Sequence, residues 1–302
     1  MNGILLDHRI ARKKMHNTRQ ICLITGATAG IGKAAAIILA AQGLEMVLTG
    51  RNVVKLQNVV DQIRAQTGNE AVHTLVADFS DLQQVRQLAH QFNEQFPRLD
   101  ILINNAGAYF NMRHRTTYRV EKTFLVNHLA PFLLTNLLLD RLQDSPSARI
   151  INVSSGSHLN AQLDLDDLNF DRFYFGFWAY GRSKLANILF TYELARRIKD
   201  GHVTVNALHP GRVGTDIFKT DFSTFGYALK WFVERISLTP EQGADNTVYL
   251  ATSPEVEGVT GKYFVKREAV SSSPLSYSED LARRLWGVSE KITLSPSYEH
   301  HG

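Results

Sequence analysis

A tyrosine and a lysine one helical turn apart, Tyr180 and Lys184, stand in the stretch Tyr180-Gly181-Arg182-Ser183-Lys184. Residues four apart on a helix share a face, and alone such a pair is an ordinary surface or packing neighbour. Two other features change its meaning. Ser154 and Ser155 lie upstream, and a glycine-rich turn, Thr25-Gly26-Ala27-Thr28-Ala29-Gly30-Ile31-Gly32, lies near the start. Together they describe a site that moves a hydride and a proton. A phenol is a weak acid, with an ordinary pKa of about 10. A lysine ammonium one turn away favours the phenolate, and so does the positive ring of an oxidised nicotinamide. Such a phenol can exchange a proton with an alcohol or carbonyl at neutral pH.

These residues need elements to carry them. Short apolar runs at 21–24, 46–48, 72–76, 101–103, 149–153 and 204–208 have the length and composition of buried parallel strands. Helical patterns lie between them. The first, 31–42, is Ala-rich and ends before Gly43, a suitable C-cap. Residues 52–66 and 80–96 repeat every three to four positions, with Ser80 as the expected N-cap of the second. Residues 121–142 read as one long apolar helix kinked or broken at Pro131. A helix over 179–198 carries Tyr180 and Lys184, another starts at Glu241, and a short one is expected near 280–286. The alternation predicts an α/β fold, a single-domain doubly wound parallel sheet of Rossmann type with helices on both faces. No internal repeat or low-complexity linker divides it. The expected organisation is a basic arm over 1–18, one domain over 19–290 with a substrate lid at about 212–238, and a flexible tail over 291–302.

The turn after the first strand fits a dinucleotide. Gly26, Gly30 and Gly32 allow tight turning and close backbone approach, and the helix start offers N–H groups to a pyrophosphate. The spacing is Gly-x-x-x-Gly-x-Gly, not Gly-x-Gly-x-x-Gly. NAD sites place an acidic residue at the end of the second strand for the ribose 2′-hydroxyl. Gly50 stands there, followed by Arg51 and Asn52, with Lys55 one turn on. A guanidinium suits a 2′-phosphate. A solvated arginine at a strand end is the bland alternative; the missing carboxylate favours NADP. Asp78 closes the third strand and could hydrogen-bond adenine. Asn105, Ala106 and Gly107 close the fourth, and their small size lets backbone lie beside the adenosine half.

Composition sets outer bounds. The chain has 302 residues, 44% apolar and 21% charged, with a net charge of +4. That is a globular composition with enough apolar residues for a sizeable core. Much of the positive charge sits in Arg9, Arg12, Lys13, Lys14 and Arg19. The remainder is nearly neutral, so no nucleic-acid partner is expected. The single cysteine, Cys22, forms no internal disulfide, reads as a small buried hydrophobe and suits a reducing, cytoplasmic setting. No run of about 18 apolar residues exists, so no integral membrane segment is expected. The basic arm could rest on anionic lipid or act as a targeting segment. His300 and His301 read as tail, so no metal site is expected.

These motifs together resemble the short-chain dehydrogenase/reductase family. The ordered series is the Thr25–Gly32 turn, Asp78, Asn104-Asn105-Ala106-Gly107, Asn127, Ser155, Tyr180 with Lys184, and Pro210-Gly211-Arg212-Val213-Gly214-Thr215. The resemblance runs from about residue 18 to 290. Val126-Asn127-His128-Leu129, the stretch from Ser183 to Thr191, Thr260-Gly261-Lys262-Tyr263-Phe264 and Arg284-Leu285-Trp286 are similar to the retinol dehydrogenase branch. The chain departs from that branch at its start, which is short, basic and polar where many animal retinol dehydrogenases begin with a hydrophobic anchor.

The resemblance implies roles. Tyr180 donates the proton in reduction and accepts it in oxidation. Lys184 lowers the phenol pKa and hydrogen-bonds the nicotinamide ribose. Ser155, rather than Ser154, holds the substrate oxygen. Asn127 anchors a water relay to the lysine. Gly26, Thr28, Gly30, Ile31, Gly32, Arg51, Asn52, Asp78, Asn105, Ala106, Gly107, Pro210, Gly211, Val213 and Thr215 line the cofactor, with the last four near the carboxamide. His128 and His209 belong to packing or hydrogen bonding. Aromatics in 156–178, and again from Phe218 to Phe232, suit an apolar pocket or simply pack the lid. The expected activity is NADP(H)-dependent interconversion of a lipophilic alcohol and its aldehyde or ketone, with a small-molecule substrate and a homodimer left open. Two alternatives stand beside it. One is a catalytically silent NADP(H)-sensing or scaffolding protein, which would not need the intact Asn127, Ser155, Tyr180 and Lys184. The other resembles light-dependent protochlorophyllide reductase, which depends on further cysteines.

Overall fold

The computed structural model describes residues 19–198, 201–211 and 238–293. The basic arm, the segment holding Val213, Thr215 and most of the expected lid, and the last residues fall outside these.

Strands and helices alternate as the pattern predicts. In chain order they are β1 Ile21–Thr25, α1 Gly30–Ala41, β2 Glu45–Gly50, α2 Val53–Thr67, β3 Val72–Val76, α3 Leu82–Gln95 and β4 Ile101–Asn104. After a broken helical stretch come β5 Ala148–Val153, α4 Gly176–Arg197, β6 Val203–His209, α5 Pro240–Thr252, β7 Lys262–Val265, β8 Glu268–Val270 and α6 Glu279–Thr293. The eight strands form one sheet in the order β3-β2-β1-β4-β5-β6-β7-β8, parallel except for the last pair.

The central strands are apolar on both faces because both faces are covered. Side chains alternate along β1: Leu23 joins the layer under α3, α4 and α6, while Cys22 and Ile24 join the layer under α1, α2 and α5. Ile101, Leu102 and Ile103 of β4 repeat the alternation. Cys22 is fully buried, and burial pushes its thiol far up, so it behaves as a small apolar side chain.

Two expectations are corrected, one break is located and one hairpin is added. Ser80 does not cap α3; Asp81 does, accepting the N–H of Gln83, while the Ser80 N–H donates to Asp78. The long helix over 121–142 is broken into Lys122–Phe124, a wide turn at Leu125–Leu129, Ala130–Leu137 and Leu139–Gln143. Pro131 has no N–H for the carbonyl four residues back, that of Asn127, and the chain widens one turn before it. The C-terminal helix is longer than 280–286 and reaches Thr293, because Ile292 extends its buried stripe. The β7–β8 hairpin at the sheet edge adds two strands that the apolar runs do not predict.

Candidate active site

Between β1 and β4 the strand order reverses, while the strands stay parallel. In such sheets ligands bind outside the carboxyl ends of the strands at this point, and the singled-out residues converge there. The chain leaves β1 through Gly26, with φ +69, and enters α1 at Gly30, with φ +54. Both angles are left-handed and costly for other residues. Gly32 lacks space instead: a Cβ there would lie 2.4 Å from Asn105 Nδ2 and from the Gly26 carbonyl oxygen. Ala29 caps α1 without a side-chain hydrogen bond, so the first N–H groups and the positive end of the dipole face the turn.

Asn105 builds this turn. Its Nδ2 donates to Thr25 O at 2.8 Å, and Thr25 Oγ1 accepts the N–H groups of Asn105 and Ala106, each at 2.9 Å. Asn105 thus acts on the backbone of the cradle. A Cβ on Gly50 would approach Thr28 Cγ2 to 2.8 Å, so an acidic side chain at position 50 would displace Thr28. Arg51 beside it is exposed. Asn52 caps α2, its Oδ1 accepting the N–H of Lys55 at 2.9 Å. Burial pushes the Asp78 carboxyl up, but hydrogen bonds from Ser80 and the charges of Arg51 and Lys122 outweigh it and hold the group below its usual range. Arg51 just after β2 and Asp78 just after the neighbouring β3 thus stand at the same edge of the sheet's carboxyl end. Ile31 packs against the core beneath α1.

At the other end, β5 runs into Ser154 and Ser155. Ser154 is buried, and its Oγ donates to Lys184 O at 2.8 Å. Ser155, one residue on, shares a side-chain hydrogen bond with Tyr180. Its Oγ also accepts the N–H of Ser157 at 3.2 Å. Lys184 Nζ donates to Val153 O at 2.9 Å and lies 5.4 Å from the centre of the Tyr180 ring. The ring of Tyr109 meets that of Tyr180 edge-on at 6.0 Å. A Cβ on Gly107 would lie 3.5 Å from Lys184 Nζ, so the loop after β4 passes beside the buried ammonium.

Asn127 sits in the wide turn and is fully buried. Its Oδ1 accepts the Ala108 N–H at 2.7 Å, and its Nδ2 donates to Ala108 O and Ser183 Oγ. These bonds tie the loop after β4 to α4. The Asn127 side chain bonds Ala108 and Ser183, and its Oδ1 and Lys184 Nζ both flank Gly107. His128 bonds Asn187 and Ser289 in the core, and burial draws its pKa down to about 4. His209 Nδ1 accepts the Gly156 N–H at 3.3 Å. Pro210 follows β6 directly, and Gly211, with φ +88, has Leu238 Cδ1 at 2.4 Å from its would-be Cβ.

Burial sets the electrostatics. It pushes the Tyr180 phenol up to about 12, with the Ser155 hydrogen bond pulling the other way. It draws the Lys184 ammonium down to about 8. In the protein without cofactor, desolvation of the phenolate is the largest effect on the phenol. The aromatics of 156–178 divide. Phe170 packs under Arg182, whose guanidinium lies 3.7 Å from the ring centre, and Tyr174 donates to Phe110 O. Phe173, Phe175, Phe177 and Trp178 are exposed. Among the described residues no cluster could hold a metal ion, and no helix is long and apolar enough to cross a membrane.

Comparison with known proteins places this geometry. The family model for short chain dehydrogenases matches residues 20–225. Human polyprenol dehydrogenase is 38% identical over 280 residues, covering 91% of this chain and 85% of that protein. Human retinol dehydrogenase 13 is 40% identical over 278 residues, covering 89% and 83%. The crystal structure of a short chain dehydrogenase from Shigella flexneri complexed with NADP superposes with a TM-score of 0.64 at 26% identity, covering 81% of this chain and 95% of that one.

Proposed function

This chain belongs to the short-chain dehydrogenase family of oxidoreductases, and from that premise we propose that it interconverts a lipophilic alcohol and its aldehyde or ketone with NADP(H). One observation carries the reading. Ser155 and Tyr180 share a hydrogen bond beside the Lys184 ammonium, at the strand ends next to a turn in which Gly26 and Gly32 have no room for a side chain.

The residues fit the cofactor. The N–H groups of α1 would hold the pyrophosphate, Arg51 the 2′-phosphate, Asp78 the adenine and Lys184 the nicotinamide ribose. Pro210 and Gly211, with Val213 and Thr215, would line the carboxamide. The cofactor would supply the hydride for the carbonyl carbon in reduction and take it up from the alcohol in oxidation. Ser155 Oγ holds the substrate oxygen, and Tyr180 passes its proton to that oxygen in reduction. With its phenol pushed up to about 12, Tyr180 is protonated at neutral pH and ready to donate. Oxidation needs the phenolate, so alcohol oxidation should accelerate as pH rises while carbonyl reduction does not. Lys184 remains mostly charged at pH 7 and favours that phenolate once it forms.

The lipophilic substrate class rests on the exposed aromatics just before Tyr180 and on the names of the relatives, a polyprenol and a retinol dehydrogenase. The test is a panel of aliphatic, aromatic, steroidal and isoprenoid carbonyls with NADPH. Turnover is expected to be best with long apolar aldehydes; confinement to short polar carbonyls would refute the substrate class.

Cofactor choice has its own test. Arg51→Ala should weaken NADPH affinity about tenfold or more and leave NADH affinity nearly unchanged, since a charge-assisted contact contributes roughly 1.5–3 kcal/mol. Calorimetric titration of both cofactors checks it. Equal affinity of the unmutated protein for the two would overturn the NADP assignment.

A further inference from the structure

Three residues beyond Ser155 a histidine ring is fully buried. His158 Nδ1 lies 2.7 Å from the Ser155 carbonyl oxygen, and Nε2 lies 3.1 Å from the backbone nitrogen of Ser273. The carbonyl can only accept and the N–H can only donate. One state satisfies both: a neutral ring protonated on Nδ1 and bare on Nε2. The Tyr263 ring meets the imidazole edge-on at 4.9 Å and fixes its plane.

Ser273 is itself tied down. Its carbonyl accepts Ser276 Oγ at 2.6 Å, Ser276 Oγ bonds Ser272 Oγ at 2.6 Å, and Ser272 Oγ bonds Tyr192 OH at 2.7 Å. Tyr192 is on α4, the helix that carries Tyr180 and Lys184. The chain of bonds thus begins at the serine and ends on the helix of the tyrosine, and it passes through a segment beyond the residues 20–225 of the family match.

We propose that His158 is a positioning residue, which clamps the Ser155 carbonyl from the Ser272–Ser276 segment and so sets how the Ser155 hydroxyl meets Tyr180. This rests on the catalytic reading given above. The local geometry shows how it acts. The Ser155 carbonyl also accepts the His158 N–H, closing the short helical turn Gly156–His158. The same turn delivers the Ser157 N–H to Ser155 Oγ. That N–H occupies one lone pair, and the O–H donates to Ser157 Oγ at 3.3 Å, so the turn fixes the rotamer of the hydroxyl. Loosening the carbonyl end lets the turn rotate and the hydroxyl with it.

Two variants and one spectrum test this. His158→Phe keeps a ring of similar size and removes both bonds. It should lower kcat about tenfold or more, since small misplacements of a positioned group are costly, with NADPH affinity and the substrate KM little changed. His158→Asn places an amide donor near the Nδ1 position and should recover kcat to within about threefold of wild type. In the unmutated protein, nitrogen NMR of the imidazole should show Nδ1 protonated and Nε2 bare. Wild-type kcat in His158→Phe, or His158→Asn no better than His158→Phe, would overturn the inference. So would a ring protonated on Nε2, whatever the protein turns over, so this inference and the proposed reaction can fail separately. Where His158→Phe does not fold, His158→Asn and the spectrum decide.

Discussion

Tyr180→Phe should lower kcat at least a thousandfold, within the range of about 10²–10⁴ for a lost proton-transfer group, while NADPH affinity changes little. The ring remains, so its packing against Tyr109 and in the wall of α4 is preserved. Only the hydroxyl is lost, and it works in the proton step, so kcat should carry the effect rather than KM. Stopped-flow measurement of NADPH oxidation, paired with a direct binding titration, separates the two. A variant within a few-fold of wild type would remove Tyr180 from the mechanism.

Lys184→Met should abolish most turnover and, at pH 7, raise the melting temperature of the cofactor-free protein. Burial draws the ammonium from 10.5 down to about 8. A base whose pKa falls on folding disfavours the folded state below its folded value. That penalty fades as pH rises towards the unfolded value, because the unfolded chain binds more protons in between. Each unit corresponds to about 1.4 kcal/mol, so the charge costs the folded state a few kcal/mol at pH 7. Methionine fills a similar volume without charge. The lost bond to Val153 O offsets about 1–3 kcal/mol of the gain. The gain should therefore be a few degrees at neutral pH and shrink near pH 10. A variant less stable than wild type at both pH values would show that Lys184 contributes more through contacts than it costs through burial.

Much of this was legible in the residues. β1, β4 and β5 read as buried strands because both faces are covered, and a run such as Cys22-Leu23-Ile24 needs no polar alternation. Gly26 and Gly30 announced a turn because only glycine takes those angles cheaply. Asn52 caps α2 through its carboxamide, a local bond readable from its place after β2. What stayed hidden depends on distant partners. The wide turn at Leu125–Leu129 follows from Pro131 and from Asn127 bonding Ala108 and Ser183 across the fold. Strand β8 is exposed at every residue and owes its form to pairing with β7. The Tyr180 phenol is governed by how deeply α4 is covered, which no local motif records. His158 could have been noticed only as a histidine in an otherwise small, polar stretch, since Ser273 lies far along the chain.

The central claim is that Ser155, Tyr180 and Lys184 run a hydride-and-proton exchange rather than merely bind a nucleotide. It is tested most directly by incubating the protein with NADPH deuterated on the transferred position and a long-chain aldehyde, then examining the product by mass spectrometry. The expected result is an alcohol carrying one deuterium on its carbinol carbon, formed mole for mole with NADP and lost in Tyr180→Phe. Tight NADPH binding with no deuterated alcohol from any carbonyl of the panel would contradict it and leave a nucleotide-sensing protein of the same fold.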